Sequence, residues 1–234
     1  MKAGIIAAGL GERLIRGGIA TPKPLVPVGG VPMLGRVIQS AARLGVSAVA
    51  CIVNALNPSV ADYVRSTPWP VPVQLLVRTT ANSMESLLAL EPMLSREPFL
   101  LFTVDAIVSQ ESLAGFARQA LKQPEAAGVL AVTTFVDDEK PLWVALDQQA
   151  RITALGSAAC PTHFVTAGFY YFHPSVFEVK RLAQSRNLTA LRQLLGLLLE
   201  RGYPLHGLLV SKTVDVDHPE DLEKAEAFLR EIDE

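Results

Sequence analysis

The feature that most constrains the fold is the alternation of short apolar runs with amphipathic runs through the first half of the chain. The run "AGIIAA" (3–8) is typical of a buried strand, whereas "MLGRVIQSAARLG" (33–45) repeats apolar residues at helical spacing and ends at a glycine. Strands that alternate with helices predict a parallel sheet. Between 142 and 172 the pattern changes to successive strands with short connections, which predicts an antiparallel portion. We therefore expect an α/β fold with a mixed, mainly parallel central sheet and helices on both faces.

The remaining predicted elements continue this pattern without a linker, repeat or low-complexity tract, so we expect a single domain over 1–234. Further strands are predicted at 48–54, 73–79, 98–105 and 128–135, and within "LHGLLVSKTVDV". Further helices are predicted at 83–94 and 112–123, over "LTALRQLLGLLLERG" and over "PEDLEKAEAFLREI".

Composition and charge exclude several classes of protein. The formal net charge is −2, which argues against a nucleic-acid partner. No apolar run reaches the ~18 residues that a membrane span needs, and the chain opens on a strand, not on a targeting segment. The two cysteines lie far apart without metal-ligand spacing, as is usual in a reducing compartment. We expect a cytoplasmic protein without a membrane partner, and the sequence leaves open whether it forms a homo-oligomer.

A glycine turn follows the first strand, in "IIAAGLGERL" (5–14). Glycines there let the backbone approach a ligand closely, which favours a phosphate. The turn lacks the Gly-Lys pair of a P-loop. It also lacks the third glycine of a dinucleotide fingerprint, because Leu14 stands there, and the next strand ends in Asn54 where that fingerprint has an acid. An NAD(P)-binding dehydrogenase is therefore the weaker alternative.

Two cations accompany this turn. Arg13 lies just beyond the glycines, and Lys23 stands between two prolines that restrict the backbone on both sides. We expect the turn and the stiffened segment to bring both cations to one place. The alternative is that both are solvated charges on a proline-rich surface loop.

The stretch "AAGLGERL…TPKPLVPV" resembles the signature of the nucleoside-triphosphate transferases that activate sugar phosphates. The resemblance implies a three-layer, Rossmann-like domain of the GT-A type, with a nucleotide-binding half over about 1–125 and an acceptor-binding half over about 126–234. It implies that the backbone of the turn surrounds the triphosphate, that Arg13 contacts the β- and γ-phosphates and that Lys23 neutralises the α-phosphate. Arg13 and Lys23 are therefore the predicted catalytic residues. The predicted nucleotide-binding residues of this stretch are Ala7, Ala8, Gly9, Gly11, Arg13 and Lys23.

Asp105 ends the most apolar strand, "FLLFTVD", and open α/β sheets bind ligands at the carboxyl ends of their strands. An acid there is either a cap for the following segment or a metal ligand. The resemblance implies a magnesium ligand, although Ala106 stands beside it where the family often has glycine. Carboxylate ligands and substrate phosphates suit Mg²⁺, and none of the four histidines has zinc spacing.

The second acid is expected from "TVDVDHPEDLEKA", which offers Asp215 and Asp217. Asp217 is also typical of a helix N-cap, because Pro219 follows in the first turn and Glu220 completes a capping box. Asp215 has no such local task, and the family pattern resembled here places the ligand at the first acid. We therefore expect Asp105 and Asp215 to bind the metal, with Asp217 as the fallback.

The nucleobase and the acceptor are predicted with less detail. Asn82 and Ser86 resemble the family's base and ribose contacts, although Asn82 or Ser83 also suits a helix N-cap. In "TAGFYYF", Gly168 resembles the position where the acceptor approaches the backbone. The family's acceptor-binding lysine is absent from "SAACPTHFVTAG". The acceptor is therefore expected to be a sugar 1-phosphate or a smaller phosphorylated alcohol, such as a choline- or inositol-like phosphate.

These residues predict a magnesium-dependent nucleotidyltransferase. An acceptor phosphate oxygen, already anionic at pH 7, would attack the α-phosphorus of an NTP, and pyrophosphate would leave, so no general base is needed. A catalytically silent nucleotide-binding module is the alternative from another class. A glycosyltransferase is disfavoured because "DAI" at 105–107 does not supply an Asp-x-Asp.

Overall fold

The computed structural model describes residues 1–136 and 140–233, and a mixed sheet of nine strands runs through its centre. Two small two-stranded sheets accompany it. The strands are β1 (Lys2–Ala7), β2 (Pro27–Val28), β3 (Val31–Pro32), β4 (Val49–Val53), β5 (Val73–Val77), β6 (Phe99–Thr103), β7 (Ala106–Val108), β8 (Gly128–Thr133), β9 (Trp143–Leu146), β10 (Ile152–Leu155), β11 (Phe164–Phe172), β12 (Leu205–Leu209) and β13 (Thr213–Asp215).

One half of the central sheet is entirely parallel. Its order is β6-β1-β4-β5, so the strand before the glycine turn lies between the strands that precede Asp105 and Asn54. These strands are covered on both faces, which explains why β1, β4 and β6 are nearly continuous apolar runs. The carboxyl ends of three neighbouring strands therefore meet at one edge.

The other half of the sheet is mixed, and the long strand β11 joins the two. Its C-terminal part is antiparallel to β6, its N-terminal part is antiparallel to β9, and β8 pairs along its other side. The register against β8 shifts between Thr166 and Tyr170, where Gly168 has a φ of +78°. A side chain is disfavoured in this left-handed conformation, so a glycine suits the bend. The edge strand β12 is parallel to β8.

The helices form a layer on each face of the sheet. They are α1 (Glu12–Arg16), α2 (Met33–Arg43), α3 (Pro58–Ser66), α4 (Ser83–Ala89), α5 (Glu91–Leu94), α6 (Gln110–Ala120), α7 (Lys180–Ser185), α8 (Leu191–Glu200) and α9 (Pro219–Asp233). Helices α2, α3, α6 and α9 share a buried cluster with Ile5, whereas α4, α5, α7 and α8 share another with Ile6. Successive residues of β1 thus point into opposite cores, as a strand requires. The predicted three-layer α/β architecture is confirmed.

Two predicted elements are divided in the structure. The helix predicted at 83–94 breaks at Leu90 into α4 and α5, because Pro92 has no N–H to donate and its ring crowds the preceding turn. The run "LHGLLVSKTVDV" divides into β12, which joins the main sheet, and β13, which pairs with β7. This separate pairing carries Asp215 to a position opposite Ala106, beside the end of β6. Within 1–136 and 140–233, no helix combines the length and apolar character that a bilayer crossing needs.

Candidate functional site

A cavity of about 520 Å³, the cleft, opens at the carboxyl ends of β1 and β6. It unites most of the residues that the sequence predicts for nucleotide and metal binding. The predicted residues that line it are Ala8, Gly9, Gly11, Arg13, Lys23, Asn82, Ser86 and Asp105. Asp217, the fallback metal ligand, lines it as well. Ala7 is buried at the end of β1, and Asp215 and Gly168 lie beside the cleft, next to Ala106.

The glycine turn, residues 9–11, forms one wall of the cleft. Gly11 has a φ of +67° and immediately precedes α1, whose first turn is capped by no side chain. A Cβ on Gly11 would lie 2.6 Å from the Cβ of Lys23, so a side chain there would displace the lysine. The turn thus needs glycine both for its conformation and for its packing.

Lys23 is the centre of an ionic network. It begins a short 3₁₀ turn after Pro22, and its backbone restriction carries an almost fully buried side chain into the cleft. Its Nζ donates to Asp105 Oδ2 at 2.7 Å and to Asp217 Oδ1 at 2.6 Å. Arg13 Nη1 donates to the other oxygen of Asp217, also at 2.7 Å. The two predicted cations therefore do meet at one place.

This network changes the proton affinity of its members. Burial acts to lower the pKa of Lys23, but the charges of Asp105 and Asp217 outweigh it and the pKa is raised. Burial likewise acts to raise the pKa of Asp105, while the charge and hydrogen bond of Lys23 hold that pKa below its ordinary value. Lys23 is therefore a cation and Asp105 an anion throughout the neutral range.

The two late acids have different environments. Asp215 ends β13, and a Cβ on Gly168 would lie 3.7 Å from its Oδ1. Asp217 was expected to cap α9, but its side chain turns to Arg13 and Lys23 instead. The capping contacts come from Asp221, whose Oδ2 accepts the N–H groups of Asp217 and His218 at 3.1 and 2.8 Å. The carboxylate of Asp217 therefore faces the cleft, where both of its oxygens accept hydrogen bonds from cations.

The predicted base-contact residues lie at the start of α4. Asn82 Oδ1 accepts the N–H of Glu85 at 2.9 Å, so the capping role is present. Ser86 is buried, and its Oγ lies 2.6 Å from Thr80 Oγ1, a partner that the sequence did not single out. Because Thr80, Asn82 and Ser86 all line the cleft, this wall presents hydroxyl and amide groups that can read a base or ribose.

Asn54 is a further residue that the sequence analysis did not assign to the site. It is 3% exposed, its Nδ2 donates to the carbonyl of Ala8 at 2.8 Å, and its Oδ1 accepts from Leu56 N–H and Thr79 Oγ1 at 2.9 Å each. It thus connects the start of the glycine turn to the segment before α4. An asparagine directly after an apolar strand neighbouring β1 is the signal that could have found it.

The acceptor-side prediction, Gly168, lies where β11 bends. A Cβ there would lie 2.7 Å from the Cβ of Ala106 and 3.0 Å from Thr103 Oγ1. Tyr170, two residues on, is buried, and burial is the main cause that raises the pKa of Tyr170 to about 12. The charges of Asp215 and Asp105 raise it further.

The glycine turn lies at the edge of an α/β sheet, beside two cations and two carboxylates that contact one another. Such a site is typical of proteins that bind nucleotide phosphates. The chain belongs to the family of the MobA-like NTP transferase domain, whose profile matches residues 3–201. The predicted class, nucleotidyltransferases acting on sugar phosphates and related acceptors, is therefore confirmed, and the dehydrogenase alternative is not supported.

Three relatives illustrate the range of this similarity. The 2-aminoethylphosphonate cytidylyltransferase of Lancefieldella rimae is 26% identical over 181 residues, covering 77% of this chain and 69% of the relative. The UTP–glucose-1-phosphate uridylyltransferase AglF of Haloferax volcanii is 24% identical over 237 residues, covering 99% and 97%. The structure of the inositol-1-phosphate CTP transferase from T. maritima superposes with a TM-score of 0.85 at 19% identity, covering 100% and 96%. The last likeness shows the fold, which is the predicted GT-A type.

Proposed function

We propose that this protein is a magnesium-dependent enzyme that transfers a nucleoside monophosphate from an NTP to a phosphorylated small molecule at the cleft. The observation that carries the proposal is Lys23, whose amine lies 2.7 Å from Asp105 and 2.6 Å from Asp217 beside the glycine turn. This is one buried cation between two carboxylates, next to backbone that can approach a ligand. Once a divalent cation occupies the two carboxylates, the amine and Arg13 would be left to bind a polyanion.

Each cation of the cleft suits a different phosphate of the bound NTP. Lys23 is the most deeply buried of them and suits the α-phosphate, where charge develops during transfer. Arg13 is more exposed than Lys23 and suits the leaving pyrophosphate. Arg16 also lines the cleft and pairs only with Glu12, at 2.7 Å on the exposed surface, among the residues that the structure describes, so it adds a third cation at the outer end.

Asp105 and Asp217 have the donor chemistry that Mg²⁺ requires. Their oxygens converge on one amine, which supports their convergence on one cation, and both ligands are hard carboxylate oxygens. Asp217 is favoured over Asp215 by this geometry, and Asp215 stays an alternative ligand beside Ala106. Within 1–136 and 140–233, no group of three or more His, Cys, Asp or Glu could hold a metal, so substrate oxygens or water must complete the coordination. The ion would neutralise phosphate charge and stabilise the charge that develops on transfer.

The chain's own groups have three tasks in the reaction. The turn and Arg13 hold the triphosphate, the wall at α4 holds the nucleoside, and Lys23 offsets the repulsion between two polyanions. An acceptor oxygen forms the new bond to the α-phosphorus as the bond to the bridging oxygen of pyrophosphate breaks. A phosphate monoester is largely a dianion at pH 7, so no side chain has to remove a proton.

Two classes of acceptor are candidates. The narrower proposal is that the enzyme is a cytidylyltransferase that acts on a small phosphate or phosphonate, and the broader proposal is that its acceptor is a sugar 1-phosphate. The names of two of the similar proteins, which describe cytidylyl transfer to 2-aminoethylphosphonate and CTP transfer to inositol 1-phosphate, favour the narrower proposal. The lack of a lysine in the predicted acceptor segment 157–168 agrees with an acceptor unlike glucose 1-phosphate. The cytoplasmic location, the halves of the domain and homo-oligomerisation stay predictions.

The experiment is a matrix of five NTPs against glucose 1-phosphate, inositol 1-phosphate, phosphocholine and 2-aminoethylphosphonate, with and without Mg²⁺. Substrates labelled with ³²P at the α- or γ-position decide the chemistry: α-label should enter the acceptor product, and γ-label should leave as pyrophosphate. Asp62→Asn, at an exposed ion pair outside the cleft, is the control for Asp105→Asn. Nucleotide binding without label transfer to any acceptor would favour the silent module.

A further inference from the structure

The N-terminal turn of α8 lies against the rim of the cleft. The N–H of Leu191 donates to Ser83 Oγ at 3.0 Å, and Ser83 is itself part of the cleft wall. This contact fixes the first turn of α8 beside the start of α4. The next residue, Arg192, is therefore held at the border between the nucleotide wall and the half of the sheet that contains β11.

Arg192 differs from the cations inside the cleft in the type of hydrogen-bond acceptor that it contacts. Its Nη1 donates to the carbonyl oxygen of Lys140 at 3.0 Å, a neutral acceptor. In the part of the chain that the structure describes, Arg192 pairs with no carboxylate, whereas Arg13, Arg16 and Lys23 all do. Its side chain is exposed, so an incoming anion can displace the carbonyl without breaking an ion pair.

Arg192 also lies within electrostatic reach of the Tyr170 hydroxyl. The charges of Asp215 and Asp105 act on this hydroxyl in one direction, and the charge of Arg192 acts on it in the other. The charges of the guanidinium and of both carboxylates thus act on one phenol, two residues beyond the bend at Gly168. An acceptor anion that approaches along this bend meets two carboxylates that repel it, and Arg192 is placed to offset that repulsion.

We propose that Arg192 binds the anionic group of the acceptor, a phosphate monoester or phosphonate, and thereby selects acceptors that carry one. The inference rests on the proposed function. A guanidinium is suited to this task because its planar donors bind two oxygens of a tetrahedral anion at once. Arg192 would then take the place of the lysine that is missing from 157–168.

The test compares Arg192→Gln and Arg192→Lys with Arg201→Gln, an exposed arginine at the other end of the same helix. With the best acceptor from the matrix, Arg192→Gln should raise the KM for the acceptor about 10-fold or more, while the KM for NTP and the Tm stay as in the wild type. Arg192→Lys should be intermediate because it keeps the charge and loses the two-oxygen geometry. Arg201→Gln should match the wild type.

Methylphosphonate, which carries the anionic group and only a methyl besides, provides a second readout as a competitor of the acceptor. It should inhibit the wild type and Arg201→Gln, and inhibit Arg192→Gln at least several-fold more weakly. An unchanged acceptor KM and unchanged inhibition in Arg192→Gln would overturn the assignment while wild-type turnover leaves the proposed function intact. Failure of the wild type to use any acceptor would instead refute the proposed function.

Discussion

Lys23 and its two carboxylate partners are the smallest unit on which the proposed activity depends. In this structure the charges of Lys23 and Arg13 are matched by those of Asp105 and Asp217, so the inner cleft is electrically balanced before a nucleotide binds. A triphosphate changes that balance because it competes with the carboxylates for both cations. Each member of the network is therefore expected to act on substrate binding or turnover more than on folding.

Asp105→Asn should reduce turnover on the order of 10²-fold or more, because the variant loses one charge that positions Lys23 and the metal. The substitution keeps the shape of the side chain, so circular dichroism should show the wild-type fold, although loss of the ion pair to Lys23 lowers the free energy of unfolding. Pyrophosphate release measures the effect, with Asp62→Asn as the exposed control. Turnover of Asp105→Asn close to that of the wild type would contradict the role given to this carboxylate.

The same carboxylate should leave a signature in stability against pH. Its folded-state pKa lies below the ordinary 3.8 because the charge and hydrogen bond of Lys23 outweigh the opposing effect of burial. The unfolded chain then binds more protons near pH 4, so the contribution of Asp105 is present above that pH and is lost as the pH falls through the folded-state pKa.

Urea unfolding of the wild type and of Asp105→Asn at a series of pH values measures this contribution. The difference between their free energies of unfolding should be constant near neutral pH and should shrink below about pH 4, with a slope of at most about 1.4 kcal/mol per pH unit. A difference that stays constant down to about pH 2 would show that Lys23 does not stabilise the ionised carboxyl.

At the scale of single residues, the sequence predicts which types of charged group lie in the cleft better than it predicts which of two neighbouring acids lies there. Arg13, Lys23 and Asp105 could be found because motif spacing and strand ends identify them. The sequence could not decide between Asp215 and Asp217, because the bonds of Asp217 to Arg13 and Lys23 join segments that are distant in sequence. The role of Asn54 was equally hidden, since its partner Ala8 is distant in sequence and adjacent only once β4 lies beside β1.

The glycine turn is the element on which phosphate binding should depend. Gly11→Ala places a side chain in a left-handed conformation, at a cost of about 1–2 kcal/mol, and also against Lys23. Gly30→Ala is the matched control, because Gly30 has a φ of +75° and open space where its Cβ would lie. Both variants should lose the stability that the left-handed conformation costs, Gly11→Ala should lose more because its Cβ also meets Lys23, and only Gly11→Ala should bind NTP poorly.

Thermal unfolding and the KM for NTP measure these two effects separately. Equal KM values in Gly11→Ala and Gly30→Ala would mean that the contact between residue 11 and Lys23 is irrelevant to the nucleotide. A lower Tm without a change in KM would have the same meaning.

The regular elements were predictable where one physical rule dominates. Buried parallel strands such as β1 and β6 are continuous apolar runs, and α2 has a clean apolar face that ends near Gly45. Helix α3 was missed although Asn57 and Pro58 provide the usual start of a helix. The pairing of β13 with β7 could not be foreseen, because it depends on which of several edges a short strand meets.

The whole molecule surrounds one sheet with two helical layers, and the cleft lies at the edge where its parallel strands end. A ligand that binds only the folded chain should raise the free energy of unfolding of the whole domain, by about 2.7 kcal/mol at a concentration 100 times the Kd. For a chain of this size that is a rise in Tm of roughly 5–10 °C. CTP or UTP with Mg²⁺ should produce such a rise, whereas NAD should produce none. A rise in Tm with NAD, and none with CTP or UTP, would favour the NAD(P)-binding alternative.

The most direct test is a crystal structure of the protein with a bound NTP and Mg²⁺. We expect backbone N–H groups of the glycine turn and the side chains of Arg13 and Lys23 to contact the triphosphate, and Asp105 and Asp217 to hold the ion. A triphosphate bound elsewhere, with the glycine turn facing solvent, would contradict this expectation.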